Sequence, residues 1–296
     1  HSFPTRLSSH LYIKNNRVTA SVLNVRTGPG KGYDPPIGQL KNGTTVKVLS
    51  EYNGWYAIEY NHNEQWVHAH PDDVLYYLNP KNFLNDDVLI FQFLDLSAPS
   101  GASVDVLNKF LAGKGSLAGQ AQAFIDAGKI YGVNDVYLIS HAILETGNGT
   151  SDLARGVEVG KDKEGKLVLV TEKNRTSLTD IEKVYNMFGI GAEDDCAVSC
   201  GAIRAYQEGW TDPYKAIIGG ANFIGNEYIR GDNSYNTIQN TLYKMRWNPI
   251  YMEQNKKAGH QYATDIGWAA KQVYNMYNLY QQIGIKTLSL EIPVYK

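Results

Sequence analysis

The sequence predicts an α+β protein in which a small β-barrel domain precedes a larger, mainly helical domain. Short alternating apolar segments separated by turn-forming residues run through 18–78, a pattern typical of strands. From 101 to 296 the apolar residues recur at the spacing of amphipathic helices. Two β-branched segments at 153–173 predict a hairpin inserted into the helical part. We expect residues 1–17 to form an N-terminal extension and residues 79–100 to form a linker and the start of the second domain.

The predicted strands of the N-terminal domain are four short runs: Val18 to Val25, Thr44 to Leu49, Trp55 to Tyr60 and Gln65 to Ala69. The first two are separated by RTGPGKGYDPP at 26–36, whose glycines and prolines predict turns. Asn53-Gly54 is a hairpin signal between the second and third runs. Several short strands at such close spacing favour a small barrel.

The helical domain carries recognisable start signals. Asn134 precedes a segment whose apolar residues share one helical face, so it is expected to cap that helix. Further start signals are the capping-box spacing of Thr179 and Glu182, the Asp212-Pro213 pair that opens a helix to about Ile229, and Asp265 before the longest helix.

The charge and composition exclude several classes of partner. The chain of 296 residues has 28 basic and 30 acidic side chains and a net charge of -2. A balance this even steers it toward neither nucleic acid nor an anionic membrane, and no stretch is apolar for long enough to span a bilayer. Two cysteines cannot build a Cys-rich metal site, and no cluster of His, Asp and Glu has ligand spacing, so no metal or other cofactor is expected.

The segment SHAILETGNGTS at 140–151 places an acid at the end of a predicted helix. Glu145 is followed at once by Gly147 and Gly149, which end the helix and let backbone approach a ligand closely. A carboxyl group desolvated at a helix C-terminus has a raised pKa and can donate a proton near neutral pH. The same pattern also fits an ordinary exposed glutamate, so it indicates catalysis only weakly by itself.

Five ordered motifs resemble the glucosaminidase domains of glycoside hydrolase family 73, most closely those of Gram-positive autolysins. They are HAILETGNGTS at 141–151, NMFGIGA at 186–192, AIIGGANFIGNEYI at 216–229, TLYKMRWNP at 241–249 and HQYATDIGWA at 260–269. The resemblance runs from about 91, at FQFLDLSAPSG, to the end of the chain. It implies a lysozyme-like, mainly helical fold with a small β-lobe. It further implies hydrolysis of the β-1,4 bond after N-acetylglucosamine in peptidoglycan, with Glu145 as the essential acid.

The N-terminal domain resembles bacterial SH3-like domains through LNVRTGPG at 23–30, Gly54-Trp55 and Trp66-Val67. Such domains often bind cell-wall peptides or cross-bridges, and a structural spacer is the equal alternative. The expected partners are therefore peptidoglycan glycan strands and, through this domain, wall peptides.

The identity of the second catalytic group stays open at the level of sequence. Glycosidases usually pair two carboxylates, and the predicted hairpin offers Glu158 and Glu172, with Asp152 and Asp195 as weaker candidates. Each also fits a solvated surface acid. Alternatively, the 2-acetamido oxygen of the substrate attacks the anomeric carbon and a polar group orients it. The resemblance links Tyr262, in HQYATD, to catalysis.

The sugar groove is expected to draw on three kinds of side chain: aromatic faces, amides and imidazoles. The candidates are Asn186, Phe188, Tyr243, Trp247 and His260. Aromatic faces can stack on pyranose rings, although Phe188 and Trp247 fit a core role equally well. His141 precedes Glu145 by one helical turn and either tunes it or packs in the core.

Cys196 and Cys200, in DDCAVSC, depart from the family pattern. A disulfide between them fits an exported protein, and we expect a secreted, wall-associated monomer. Two rival functions remain at this level: a cysteine endopeptidase that cuts wall peptides, and a wall-binding protein without catalytic activity. The first requires a thiolate beside a histidine, and the second conflicts with the intact ETGNG segment.

Overall fold

The computed structural model describes residues 5–7, 12–26, 36–52, 54–60, 69–193, 195–232, 234–284 and 288–295. Its backbone contacts divide the chain into two compact units, His1–Asn79 and Pro80–Lys296.

The first unit is built on antiparallel strands. They are β1 (Thr5–Leu7), β2 (Ile13–Lys14), β3 (Arg17–Val18), β4 (Val22–Val25), β5 (Gly38–Lys41), β6 (Lys47–Tyr52) and β7 (Trp55–Glu59). Five of them form one sheet in the order β5-β4-β1-β7-β6, and β2 and β3 form a separate pair. Val18, Val25 and Ile58 lie in a small apolar core of this unit.

This unit contains one helix that the sequence analysis did not predict, and several of the predicted turns and strands lie outside the described residues. Helix α1 (Pro71–Leu78), capped by the His70 ring, follows the strands and was not predicted. Residues 27–35, Asn53 and residues 61–68 lie outside the described residues, and with them the glycine-proline turn, half of the hairpin signal, and the predicted run from Gln65 with its Trp66-Val67 motif.

The second unit is mainly helical. Its α-helices are α2 (Val104–Leu111), α3 (Ala121–Tyr131), α4 (Asp135–Glu145), α5 (Asp152–Arg155), α6 (Ala197–Gln207), α7 (Pro213–Ile224), α8 (Leu242–Trp247), α9 (Pro249–Asn255) and α10 (Trp268–Ile283). Short 3₁₀ turns lie at Pro80–Asn82, Leu89–Phe93, Gly115–Leu117 and Arg175–Ser177, and a π-helical turn at Gly225–Ile229 continues α7. Within the described residues, no helix is both long enough and apolar enough to cross a bilayer.

Helix α4 is the centre of this unit. All residues from Asp135 to Ile143 are buried, as expected of a helix that is surrounded by others, and α3 and α10 pack against it. The predicted cap is confirmed, because the Asn134 side chain accepts a hydrogen bond from Tyr137 N at 3.0 Å. The Asn134 amide also donates to the Tyr280 hydroxyl at 2.8 Å, which ties the start of α4 to α10.

A three-stranded antiparallel sheet packs against α6 of the helical unit. Strands β8 (Val157–Lys161) and β9 (Leu167–Leu169) are the predicted hairpin, and β10 (Thr179–Val184) adds to its other edge in the order β10-β8-β9. The capping box predicted for Thr179 and Glu182 is therefore wrong. Both residues pair with β8, Thr179 opposite Lys161 and Glu182 opposite Val159, so long-range pairing has overridden a local helix signal.

The other two start signals have different outcomes. Asp212 caps α7 through Lys215 N at 2.8 Å, with Pro213 in the first turn, as predicted. The longest helix, α10, is capped by Gly267 and not by Asp265. Asp265 lies in the preceding turn, where it accepts from Gly267 N and forms an ion pair with Lys271.

Candidate active site

Glu145 is the last residue of α4, and its side chain is 32% exposed. The backbone of Gly189 borders the carboxylate, because a Cβ atom at that position would lie 3.3 Å from Glu145 Oε2. A side chain larger than hydrogen there would thus crowd the acid. The carboxylate is supported by a buried helix on one side and bordered by a glycine loop on the other, an arrangement that leaves room for a ligand.

The turn that follows Glu145 is held rigidly. Gly147, Asn148 and Gly149 all have left-handed φ angles, at 54°, 62° and 73°. Inside the turn, the Thr146 hydroxyl accepts from Gly149 N at 2.7 Å. Gly149 O in turn accepts from Ser116 N at 3.1 Å, which fastens the turn to the segment before α3. The loop after the acid is therefore a fixed wall.

His141 lies one helical turn before Glu145 and is completely buried. Its Nε2 atom is 3.5 Å from Glu145 Oε1 and 2.9 Å from the Tyr262 hydroxyl. Its Nδ1 atom is 2.9 Å from the Tyr137 hydroxyl. The imidazole thus connects the candidate acid to the tyrosine that the sequence linked to catalysis.

Tyr262 is held between aromatic rings. It stacks on Trp268 with centroids 4.9 Å apart and contacts Tyr228 at 4.9 Å. Burial, together with the nearby Tyr137 and Glu145, raises the pKa of Tyr262 well above its ordinary value. The phenol therefore stays protonated at neutral pH and remains able to donate a hydrogen bond.

Four of the five predicted groove residues are buried, which corrects the expectation that they face the sugar. Asn186, Phe188, Tyr243 and Trp247 are at most 5% exposed. A ring face that is covered by protein cannot stack on a pyranose. They have structural roles instead: Asn186 accepts from the backbone N–H groups of Phe188 and Ile190 and so shapes the loop that carries Gly189.

The three aromatic residues of this group have partners of their own. Phe188 packs edge-on against His141 with ring centroids 5.7 Å apart. The Tyr243 hydroxyl bonds the Tyr295 hydroxyl at 2.7 Å, and the Arg246 guanidinium lies over the Trp247 ring at 4.1 Å. These contacts stabilise α8 and the loop before α6.

His260 is the predicted groove residue that remains partly exposed. Its Nδ1 atom bonds Gln239 Oε1 at 2.6 Å, and its ring stacks on Tyr228 at 5.0 Å and contacts Tyr235 at 4.5 Å. Burial lowers its pKa, although Glu227 opposes this. Sequence reasoning missed Tyr228 and Tyr235, although Tyr228 lies within the 216–229 motif.

In the part of the chain that the structure describes, none of the four candidates for a second catalytic carboxylate forms a hydrogen bond with Glu145. Glu158, on β8, forms an ion pair with Arg175. Glu172, Asp152 and Asp195 are exposed. The described residues also contain no group of three or more His, Cys, Asp or Glu side chains that could hold a metal ion. Around Glu145, the described residues thus place an accessible carboxyl group and a neutral phenol on either side of the His141 imidazole.

Cys196 and Cys200 form a disulfide, with Cα atoms 5.4 Å apart. Cys196 caps the N-terminus of α6 and Cys200 lies in its first turn. The chain has only these two cysteines, so no free thiol is available as a nucleophile.

Two family profiles match the chain. A bacterial SH3 domain profile matches residues 21–70. The Glucosaminidase profile, described as mannosyl-glycoprotein endo-beta-N-acetylglucosaminidase, matches residues 121–281.

Among curated proteins, a beta-N-acetylglucosaminidase of Bacillus subtilis is 46% identical over 97% of this chain and 29% of its own length. A bifunctional autolysin of Staphylococcus aureus is 44% identical over 78% of this chain and 17% of its own. The chain thus spans less than a third of either relative.

Solved structures resemble this one as well. S. aureus autolysin E is 36% identical, with a TM-score of 0.59 over 80% of this chain and 88% of that one. A catalytic Glu-to-Ala mutant of autolysin E in complex with the disaccharide NAG-NAM is 34% identical, with a TM-score of 0.57 over 85% of this chain and 91% of that one.

Proposed function

Because this chain belongs to the glucosaminidase family, glycoside hydrolase family 73, with a bacterial SH3 domain before the catalytic one, we propose that it is an endo-β-N-acetylglucosaminidase that acts on peptidoglycan. The bond cleaved is the β-1,4 linkage between N-acetylglucosamine and N-acetylmuramic acid. The observation that carries this proposal is Glu145, a partly exposed carboxylate at the end of a buried helix, in the ETGNG motif. The likeness to a catalytic Glu-to-Ala mutant bound to NAG-NAM supports the role of a glutamate.

In the proposed reaction Glu145 is the general acid. It donates its proton to the glycosidic oxygen as the bond to the leaving sugar breaks. The rigid turn from Thr146 to Gly149 holds the carboxyl group in place while the leaving sugar departs, and Gly189 leaves space beside the carboxyl group. A positioned acid of this kind contributes about 10²–10⁴-fold to the rate.

For the second catalytic role we favour the acetamido group of the substrate, oriented by Tyr262. The phenol stays neutral and lies one imidazole away from Glu145, so both groups can face the same sugar. Glu158, by contrast, is already paired with Arg175. A second protein carboxylate remains the alternative, with Glu158 and Glu172 as its candidates.

The rival functions receive little support. A cysteine endopeptidase needs a thiolate, and both cysteines of the chain are in the disulfide. A wall-binding protein without catalysis would not need a carboxylate held beside a hydrogen-bonded phenol and imidazole.

We further propose that the SH3 domain binds wall peptides and that the protein acts outside the cell as a monomer. The domain limits expected from sequence also stay predictions.

The deciding experiment is a digest of purified peptidoglycan, reduced with borohydride and read by mass spectrometry. We expect N-acetylglucosaminitol at the new ends; N-acetylmuramitol would make the enzyme a muramidase. Glu145→Gln should retain the fold and lose about 10²–10⁴-fold in rate, whereas Glu164→Gln, in the exposed turn between β8 and β9, is the matched control. If Glu145→Gln keeps activity within about tenfold of wild type, Glu145 is not the general acid.

A further inference from the structure

The contacts of His141 extend the proposed mechanism, on which this inference rests. His141 is fully buried and both of its ring nitrogens have hydroxyl partners, Tyr137 at Nδ1 and Tyr262 at Nε2. We propose that His141 is a positioning residue: as the Nε2–H tautomer it donates to the Tyr262 oxygen, and so turns the Tyr262 hydroxyl hydrogen toward the substrate. The ring itself touches no substrate and exchanges no proton during the reaction.

The hydrogens available to the imidazole limit how its two phenol partners can bond. A neutral imidazole has one N–H and one lone pair, so one phenol must donate to the ring and the other must accept from it. If Tyr262 donated to Nε2, its only hydrogen would point away from the groove. If Tyr137 donates to Nδ1, Nε2 carries the hydrogen, and the Tyr262 hydroxyl hydrogen is free for the acetamido oxygen of the substrate.

Two contacts select between the arrangements. Glu145 Oε1 lies 3.5 Å from Nε2, and whenever Glu145 is ionised this oxygen repels a nitrogen lone pair there and favours the Nε2–H tautomer. When Glu145 carries the proton that it donates to the substrate, the hydrogen bond from Tyr137 to Nδ1 keeps the same tautomer. The competing acceptor for Tyr137 is the Met245 sulfur at 3.6 Å, and a thioether is a much weaker acceptor than an imidazole nitrogen.

The remaining surroundings of the ring do not disturb this choice. Among the described residues, the other aromatic rings beside His141 are those of Phe188, at 5.7 Å, and Trp268, at 6.0 Å, which bring no charge. Burial raises the pKa of both Tyr137 and Tyr262, so both phenols stay neutral. Neither phenol therefore brings a charge to the ring.

The tautomer can be measured directly. In protein labelled with ¹⁵N at histidine, two-bond ¹H–¹⁵N spectra distinguish Nε2–H from Nδ1–H, and the His141 signals are those that disappear in His141→Gln. We expect the Nε2–H pattern in the wild-type protein. An Nδ1–H pattern, or a positively charged ring at neutral pH, would overturn the inference regardless of the outcome of the peptidoglycan digest.

A pair of variants tests the effect on turnover. A glutamine amide can reach the place of Nε2 and donate to Tyr262, whereas an asparagine amide reaches only the place of Nδ1. We expect His141→Asn to lower kcat about 10²-fold with little change in KM, because misplacing an orienting group acts mainly in the transition state. His141→Gln should recover most of this loss, and His70→Gln, in the first unit, is the matched control without effect.

The failures of the two proposals are distinguishable. If wild-type protein releases no new reducing ends from peptidoglycan, the proposed function fails while the tautomer measurement still stands. If wild type is active and His141→Asn and His141→Gln lose equal activity at equal melting temperatures, or neither loses any, His141 is only a packing residue.

Discussion

Gly149 offers the sharpest test of the rigid turn behind Glu145. A Cβ atom on Gly149 would meet Lys114 O inside van der Waals contact, and would lie 2.9 Å from Ser116 N and 3.1 Å from Leu117 N. All three are backbone atoms, which cannot rotate away. Gly147, two residues earlier, also has a left-handed φ, but a Cβ there would meet only the Thr150 hydroxyl at 3.6 Å. The two glycines therefore form a matched pair.

The two alanine substitutions share one cost and differ in another. Each places a side chain in the left-handed region, which costs about 1–2 kcal/mol, and each reduces the entropy of the unfolded chain equally. Gly149→Ala additionally forces the backbone apart, at about 1–3 kcal/mol. It also weakens the bond from Ser116 N to Gly149 O, which is worth about 1 kcal/mol. Its excess cost is thus about 2–4 kcal/mol.

Thermal unfolding followed by circular dichroism at the helical signal measures this difference. For a domain of about 150–250 residues, each kcal/mol shifts Tm by about 2–4 °C. We therefore expect Gly149→Ala to melt at least about 4 °C below Gly147→Ala. Equal melting temperatures for the two variants would refute the claim that the turn is fixed by backbone contact with the segment at 114–117.

Two further predictions concern stability at the edges of the helical unit. Burial opposes ionisation of Glu291, but hydrogen bonds from Lys244 and Asn240 outweigh it and hold the pKa of Glu291 below 4.5. Because the folded-state pKa of Glu291 is depressed, this stabilisation is present above pH 4.5 and is lost as pH falls through the folded-state pKa. The difference in Tm between wild type and Glu291→Gln should therefore disappear in acid. A Tm difference that does not change with pH would contradict the ion pair. The disulfide closes a short loop, so removing it with the Cys196→Ser, Cys200→Ser double variant should lower the free energy of unfolding by about 2 kcal/mol, measured by denaturant titration. A loss of about 5 kcal/mol or more would mean that the disulfide holds distant segments together.

Features set by neighbouring residues were predictable from the sequence. Asn134 and Asp212 cap α4 and α7 as expected, because an N-cap bonds a backbone N–H only a few residues away. The same local reasoning failed at Thr179. There the deciding partner is Lys161 on β8, and no local signal reports a strand that pairs at such a distance.

The candidate site was predictable only in part, for a related reason. Helical spacing puts His141 on the same face as Glu145, and that much follows from the sequence. The contact of His141 with Tyr262 joins residues 121 positions apart and appears only in the folded chain. Burial was equally inaccessible: nothing in the sequence separates Phe188, which is covered, from Tyr235, which is 46% exposed.

The π-helical turn Gly225–Ile229 joins helix α7 to the aromatic residues around Tyr262. Its wide hydrogen bond, from Arg230 N to Gly225 O at 2.9 Å, accommodates one residue more than an α-helical turn would. The extra residue is absorbed inside the turn, so α7 keeps its packing against α3 while Tyr228 keeps its place between the rings of Tyr262 and His260. The length of this segment is thereby uncoupled from the packing on either side of it.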